Sequence, residues 1–334
     1  MGRIGFDCGT YNLVIAQRKN NDISCKREIN AFLTLPLDNR FVFNMMKNAG
    51  VPLIERDDVA YALGEAAVNM AYTMTQIELK RPMSQGCLNP REKDAMRIMK
   101  VMMHSLIGEI SQDGTILYYS VPANAINEET DADYHSQILE SIFKSYKSKE
   151  GYRVIPRPIN EGLALVYAEL SSKAYTGMGI SCGAGMVNVS FAILGAPVFN
   201  FSIVNSGDWI DKMAAKATGE TTTFINKNKM KITLDTEPKD MVERAIQTQY
   251  KLMIMNTLKH IKHGLEEAGN KARTDNPIDI IIAGGTSLPR GFDKMFAKIT
   301  ADEKLPIEVG AIVRPADPLY SVARGCLIAA ENDN

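Results

Sequence analysis

The sequence contains one short pattern twice, and this repeat constrains the fold more than any other feature. The first copy reads GFDCGTY from residue 5 and the second reads GISCGAG from residue 179, so matched positions are separated by a constant 174 residues. Alternating apolar residues continue after each copy, which predicts a strand, a glycine turn and a second strand in both places. We therefore expect two related halves.

Composition and charge limit the classes of protein that fit. The 334 residues are 45% hydrophobic and 23% charged, which suits a globular chain of two domains with sizeable cores. The net charge of −1 favours neither nucleic acid nor an anionic membrane as a direct partner. Five scattered cysteines without metal-ligand spacing indicate reduced thiols, and we expect a cytoplasmic protein without a leader or a membrane span.

Strands and helices alternate along both halves in the manner of α/β proteins. An irregular stretch from about 30 to 85 reads as an inserted subdomain. Met96, Met99, Met103 and Leu106 recur at helical spacing, which predicts a buried stripe. The expected helices cover 91–107 and 239–268 and begin near 160, near 208 and after 318, and the expected strands cover 115–121, 152–155, 198–204, 278–283 and 307–309.

Paired glycine turns suit the binding of phosphate groups. Consecutive backbone N–H groups in a tight turn form an anion-binding concavity, and glycine lets an oxygen atom approach without a clash at Cβ. A later turn, Gly284-Gly285-Thr286, follows a strand and precedes a helix, whose N-terminus favours phosphate. The chain has neither a P-loop motif nor a complete dinucleotide-binding motif. The sequence therefore predicts a different kind of nucleotide site.

Several longer motifs accompany these turns. They are DCGTYN from residue 7, ALGEA from residue 62, RPMSQG from residue 81, NEGLA from residue 160, SGDWID from residue 206, AGGTSLPRG from residue 283 and DPLYSVARG from residue 317. Together they resemble the phosphate, connecting and adenosine motifs of the actin-like ATPase superfamily, and within it the bacterial MreB-like and MamK-like filament proteins. The resemblance extends over nearly the whole chain.

The resemblance implies an α/β fold of the actin-like ATPase type. Two duplicated ribonuclease-H-like lobes, each with a small inserted subdomain, would surround a nucleotide cleft. Lobe I would span residues 1–158 with its insertion at about 30–85. Lobe II would span residues 159–334 with its insertion at about 217–238, and its C-terminal helix at about 319–332 would cross back to lobe I.

The resemblance also implies ATP or ADP with Mg²⁺ as the bound groups. Asp7 would hold Mg²⁺ through water, and Glu161 would orient or deprotonate the attacking water, so these two residues are the predicted catalytic pair. On the residues alone, Asp7 could instead end a strand, Glu161 could begin a helix and Asp208 could cap one. The predicted nucleotide-binding residues are Gly9, Thr10, Tyr11 and Asn12 from the first turn, Gly183, Ala184, Gly185 and Met186 from the second, and Asp208, Lys227, Gly284, Gly285 and Thr286.

One departure from the family pattern bears on catalysis. The second phosphate motif of the family carries an acid and a threonine where this chain has Ser181 and Met186. Backbone N–H groups still bind phosphate, but the loss of a carboxylate weakens electrostatic positioning, so we expect slow hydrolysis. Three functions remain open: an ATP-dependent filament whose main partner is a second copy of the chain, with adaptor proteins as further partners; a small-molecule kinase of the same superfamily; and a non-hydrolysing ATP-binding adaptor.

Overall fold

A computed structural model describes residues 2–36, 40–51, 53–56, 59–73 and 79–333. Its strands are β1 (Arg3–Cys8), β2 (Asn12–Lys19), β3 (Asp22–Ile29), β4 (Phe32–Pro36), β5 (Leu53–Arg56), β6 (Val59–Leu63), β7 (Met83–Ser84), β8 (Cys87–Leu88), β9 (Thr115–Val121), β10 (Val154–Asn160), β11 (Gly177–Cys182), β12 (Val187–Ile193), β13 (Ala196–Ile203), β14 (Ile278–Ala283) and β15 (Val309–Val313). Its helices are α1 (Arg40–Asn48), α2 (Gly64–Thr73), α3 (Ala95–Ile107), α4 (Ala132–Lys144), α5 (Glu161–Glu169), α6 (Gly207–Thr218), α7 (Thr222–Lys229), α8 (Met241–Ala268), α9 (Phe292–Glu303) and α10 (Ser321–Asn332).

The two large sheets share one topology. The first has the order β10-β9-β1-β2-β3 and the second has the order β13-β12-β11-β14-β15. In each sheet three antiparallel strands come first along the chain, and two further strands then join in parallel beside the first of them. Strands β1 and β11, which carry the two sequence copies, hold equivalent central positions. The predicted duplication of an α/β lobe is confirmed.

A small third sheet is separate from the two large sheets and packs on the core of the first lobe. Strands β4, β6 and β5 pair in that order, and helices α1 and α2 are formed from the same part of the chain. Its core includes Leu33, Leu35 and Phe43. This sheet lies within the stretch at about 30–85 that the sequence predicted as an insertion, of which residues 37–39, 52, 57–58 and 74–78 lie outside the described ranges. Helix α7 lies within the second predicted insertion.

Two helices cross between the lobes. Helix α5 leaves the first sheet and packs on β11 and β12 of the second, while α10 leaves the second sheet and packs on β1 and β9 of the first. The first glycine of each sequence copy permits this packing. A Cβ atom at Gly5 would overlap the carbonyl oxygen of Ala323 in α10, and one at Gly179 would overlap the carbonyl oxygen of Gly162 in α5. The duplicated glycines therefore allow close helix–sheet contact.

Some element boundaries differ from those predicted. Helix α3 begins at Ala95, because the preceding residues form turns in which the Asn89 side chain accepts a hydrogen bond from the N–H of Arg91. Met96 is exposed, so one turn of the predicted buried stripe faces solvent, whereas Met99 is buried. Strand β10 extends through two prolines, which an edge strand tolerates. Strand β15 begins later than predicted and runs over Val309–Val313. No helix in the described ranges is both long and apolar enough to cross a bilayer.

Candidate functional site

A cavity of about 230 Å³ lies between the two lobes. It forms there because β1, β11 and β14 all end at the same side of their sheets, and the turn after each of these strands faces the space between the lobes. The predicted site residues that line this cavity are Asp7, Gly9, Thr10, Tyr11, Asn12, Glu161, Gly183, Ala184, Gly185, Met186, Gly284, Gly285 and Thr286. Thus the fold brings together every predicted residue except Asp208 and Lys227.

Hydrogen bonds between the turns hold the walls of the cavity in place. The hydroxyl of Thr10 accepts a hydrogen bond from the backbone N–H of Gly86, in the turn between β7 and β8, at 3.2 Å. The carbonyl oxygen of Gly183 accepts from the hydroxyls of Thr286 at 2.7 Å and Ser206 at 2.5 Å. The sequence predicted Thr286 beside the nucleotide. In the structure its hydroxyl stabilises the second glycine turn through this hydrogen bond. These hydrogen bonds join the turns that form the cavity walls.

Asp7 lies at the C-terminal part of β1, on the floor of the cavity. Its Oδ1 atom accepts a hydrogen bond from the hydroxyl of Ser120 at 2.8 Å, and the same hydroxyl accepts from the N–H of Cys8 at 2.9 Å. Ser120 reaches Asp7 because β9 runs parallel to β1 at its side. Burial raises the pKa of Asp7 to about 6, and the hydrogen bond from Ser120 opposes that shift.

Glu161 begins helix α5, whose N-terminus is capped by the side chain of Asn160. Its Oε2 atom accepts hydrogen bonds from the hydroxyl of Ser181 at 3.0 Å and from Nδ2 of Asn188 at 2.9 Å. Burial, and then the negative charge of Asp7, raise the pKa of Glu161 to about 8, while the two hydrogen bonds lower it. Burial therefore favours the protonated form of Glu161.

The two carboxyl groups suit a cation that is held together with phosphates. Among the described residues neither Asp7 nor Glu161 forms an ion pair with Lys or Arg. The described ranges hold no cluster of three or more His, Cys, Asp or Glu side chains that could hold a metal ion. Mg²⁺ binds through few carboxylates together with water and phosphate oxygens. The residues thus fit a nucleotide-bound Mg²⁺ better than a metal held by the protein alone.

The two predicted residues outside the cavity have other surroundings. Asp208, at the start of α6, forms a two-pronged ion pair with Arg81, with N–O distances of 2.9 and 3.1 Å. This pair joins the segment before β7 to a helix of the second lobe. Lys227 is exposed on α7. Neither side chain lines the cavity.

Lys229, which was not predicted from the sequence, lines the cavity. Lys229 is buried, its Nζ lies 2.8 Å from Oδ1 of Asp211, and it donates to the carbonyl oxygen of Gly207 at 3.0 Å. Ile225, one turn earlier on α7, is also buried. Residues four apart share a helix face, so helical periodicity from Ile225 points to Lys229, whereas Lys227 lies on the opposite side.

Comparison with solved structures identifies the fold. The chain matches a MamK double helical filament with a TM-score of 0.74, 15% identity and coverage of 99% of both chains. It matches MreB5 of Spiroplasma citri bound to AMPPNP with a TM-score of 0.67, 15% identity and coverage of 96% and 93%. It matches the ethanolamine utilization protein EutJ from Carboxydothermus hydrogenoformans with a TM-score of 0.52, 13% identity and coverage of 99% and 90%. The fold is that of the actin-like ATPases, as the motifs predicted.

Comparison of sequences completes the assignment. No curated protein matches the chain by sequence. The family model described as Volactin matches residues 2–330, which is almost the entire chain. The chain therefore belongs to the Volactin family.

Proposed function

We propose that this protein is a cytoplasmic, actin-like cytoskeletal protein that binds ATP with Mg²⁺ in the cavity between its lobes and polymerises into filaments. One observation carries the proposal: glycine turns at equivalent positions of two duplicated lobes line the same cavity, together with the half-buried carboxyl group of Asp7 and the buried carboxyl group of Glu161. Two structural neighbours agree with it, since one is a MamK filament and another is MreB5 bound to AMPPNP.

Phosphate binding is assigned to backbone groups. The N–H of Gly183 donates to the carbonyl oxygen of Met186 and closes the hairpin, so the amides within that turn are the ones placed to receive phosphate. Thr10, Tyr11 and Asn12 offer the corresponding amides from the first lobe. A ligand held from both lobes stabilises their closed arrangement, because it binds that arrangement better than an open one.

Catalysis is assigned to the two carboxyl groups. Asp7 would hold Mg²⁺ through water, and the bound ion would supply positive charge beside the phosphates. Glu161 accepts a proton from the attacking water or orients it, which requires its ionised form. Burial opposes ionisation of Glu161, and Ser181 adds no second carboxylate, so hydrolysis is slow and limits filament turnover.

A non-hydrolysing ATP-dependent adaptor is the second candidate. Ser181 favours it, because its hydroxyl donates to the carboxyl group that would serve as the base. Self-association separates the two functions. A filament requires a heterologous contact that does not close on itself, whereas an adaptor stays monomeric with ATP.

Calorimetry and electron microscopy test the proposal directly. We expect the purified protein to bind ATP with Mg²⁺ and to form filaments with ATP. Gly285→Ala supplies a matched variant: the nearest atom to the added methyl group is Cδ2 of Leu319 at 3.6 Å, so the fold tolerates it. We expect this variant to bind ATP about tenfold more weakly with an unchanged melting temperature. A wild-type protein without affinity for adenine nucleotides would refute the proposal.

A further inference from the structure

A chain of buried hydrogen bonds leads from the backbone of the first lobe to the carboxyl group of Glu161. The N–H of Ala123, just after β9, donates to the hydroxyl of Ser202 in β13 at 3.0 Å. That hydroxyl donates to Oδ1 of Asn188 in β12, and Nδ2 of Asn188 donates to Oε2 of Glu161 at 2.9 Å. Ser202, Asn188 and Glu161 are all buried, and Asn188 and Glu161 also border the cavity.

Every hydrogen bond in this chain is donated in the direction of Glu161. The backbone N–H of Ala123 can only donate, so the oxygen of Ser202 accepts from it, and the hydroxyl proton of Ser202 is donated to Asn188. The Asn188 amide is then oriented with Oδ1 toward Ser202 and Nδ2 toward Glu161. Oε2 of Glu161 already accepts from Asn188 and from Ser181, which leaves Oε1 as the oxygen that gains or loses a proton.

The chain begins where the two lobes touch. Ser202 also accepts a hydrogen bond through its carbonyl oxygen from the N–H of Ile126 at 2.9 Å, and it forms an isolated bridge with Ala125. Asn127 extends this contact, because it accepts from the N–H of Val204 at 3.1 Å and donates to Oδ1 of Asn205 at 2.6 Å. Segment 123–127 is therefore hydrogen-bonded to the end of β13. Movement of one lobe against the other would break the hydrogen bonds to Ser202.

The first lobe shows that the fold itself does not require this chain. In the second sheet Asn188 pairs with Ser202, whereas in the first sheet the equivalent residue, Val14, pairs with Arg27. Val14 is fully buried and apolar. A buried polar pair is costly unless it is fully hydrogen-bonded, so its presence in one lobe alone calls for a role beyond folding.

We propose that Ser202 and Asn188 are positioning residues through which the contact between the lobes sets the orientation of Glu161. The catalytic part of this inference rests on the proposed function, in which Glu161 acts on the attacking water. When the lobes adopt the arrangement seen here, Ser202 and Asn188 hold Oε2 and present Oε1 to the cavity. When segment 123–127 moves away from β13, Ser202 loses its donor and the Glu161 side chain loses its support.

Single-turnover phosphate release tests the role in catalysis. Ser202→Ala and the near-isosteric Asn188→Leu each break the chain at a different link, and we expect each to slow phosphate release at least tenfold with ATP affinity unchanged within twofold. The double variant should be no slower than Asn188→Leu alone. Ser190→Ala is the matched control, since Ser190 is fully buried on the same face of β12 and its hydroxyl has no hydrogen-bond partner among the described residues. Ser202→Ala that hydrolyses ATP as fast as Ser190→Ala would overturn the proposal.

A double-mutant cycle tests the same chain without relying on activity. The changes in denaturation midpoint caused by Ser202→Ala and by Glu161→Leu should not add up to the change in the double variant. The changes caused by Ser190→Ala and by Glu161→Leu should add up to that of their double variant. If the wild type binds ATP but does not hydrolyse it, the hydrolytic part of the proposed function fails and this cycle still decides the inference. Additive midpoints for Ser202→Ala and Glu161→Leu would then overturn it.

Discussion

Ser181 occupies the position that Asp7 holds in the first copy, and its chemistry differs in one decisive respect. A serine hydroxyl donates a hydrogen bond to Glu161, which an ionised aspartate cannot do. A carboxyl group in its place would be the third one on the same cavity wall as Asp7 and Glu161. Serine therefore lowers the free energy needed to ionise Glu161, although it removes a possible ligand for the metal.

Ser181→Asp should destabilise the nucleotide-free protein at high pH. We expect a loss on the order of 1 to 3 kcal/mol in the free energy of unfolding at pH 8, because the variant loses a donor and adds like charge. The loss should shrink at pH 5, where the new carboxyl group takes up a proton. Ser181→Ala, which removes the donor without adding charge, is the control. Equal free energies of unfolding for the two variants at pH 8 would show that charge at position 181 does not affect stability.

The titration of Glu161 should appear in the stability of the nucleotide-free protein. Its pKa in the folded state is raised to about 8, so its contribution to stability is complete below its ordinary pKa and is lost as pH rises to about 8. Glu161→Gln cannot ionise at this position. Its free energy of unfolding, relative to that of the wild type, should therefore rise by on the order of 2 to 3 kcal/mol from pH 6 to pH 8.5. Chemical denaturation at several pH values measures this difference. A constant difference would mean that Glu161 titrates normally.

At the scale of elements, the crossing helices α5 and α10 hold the lobes together through glycine contacts. Gly325 of α10 lies against the backbone of Ala164 in α5, and a Cβ atom there would overlap the carbonyl group of Ala164. Backbone atoms in a helix cannot move aside as a flexible side chain can. The contact between α5 and α10 therefore tolerates larger side chains poorly.

Gly325→Ala should destabilise the protein by about 1 to 3 kcal/mol, even though alanine favours helix formation by about 1 kcal/mol over glycine. The overlap with Ala164 outweighs that gain. Gly264→Ala in α8 is the matched control, since its added methyl group meets only the Phe199 ring, at 3.3 Å, among its nearest neighbours. Thermal unfolding should show a clear loss for Gly325→Ala and little change for Gly264→Ala. Equal melting temperatures would contradict the close contact of α5 and α10.

At the scale of the whole molecule, the lobes also contact each other outside the two crossing helices. Segment 123–127 joins the end of β13, and Arg81 forms its ion pair with Asp208 of α6. The Arg81 and Asp208 side chains are about one third exposed, so the pair contributes no more than about 1 kcal/mol. That amount is enough to alter the rate at which the lobes separate.

Arg81→Gln and Asp208→Asn should each speed release of ADP by a few-fold, and the double variant should match the single ones. The reason is that all three remove one and the same ion pair. Lys144→Gln, which breaks a pair with Glu140 inside α4, is the control and should leave release unchanged. Stopped-flow displacement of a fluorescent ADP measures these rates. Faster release from Asp208→Asn alone would instead place Asp208 beside the nucleotide, as the sequence predicted.

Patterns in the sequence were enough to predict the duplication, the α/β class, most of the elements and the turns that line the cavity. These features follow from local rules: glycine spacing, apolar periodicity and the residues that begin or end a strand or helix. Strand β9 and strand β14 were predicted at the bounds that the structure shows. Such signals lie within a few residues of each other and need no knowledge of the remaining chain.

Which side chains meet, by contrast, depends on how the whole chain folds. Ser120 reaches Asp7 because β9 lies beside β1, and Ser202 reaches Asn188 because β12 pairs with β13 in one register. Asp208 lies against Arg81, 127 residues away along the chain, rather than in the cavity. Contacts of this kind depend on strand order and lobe arrangement, which result from the packing of the whole core and leave no local mark on the sequence.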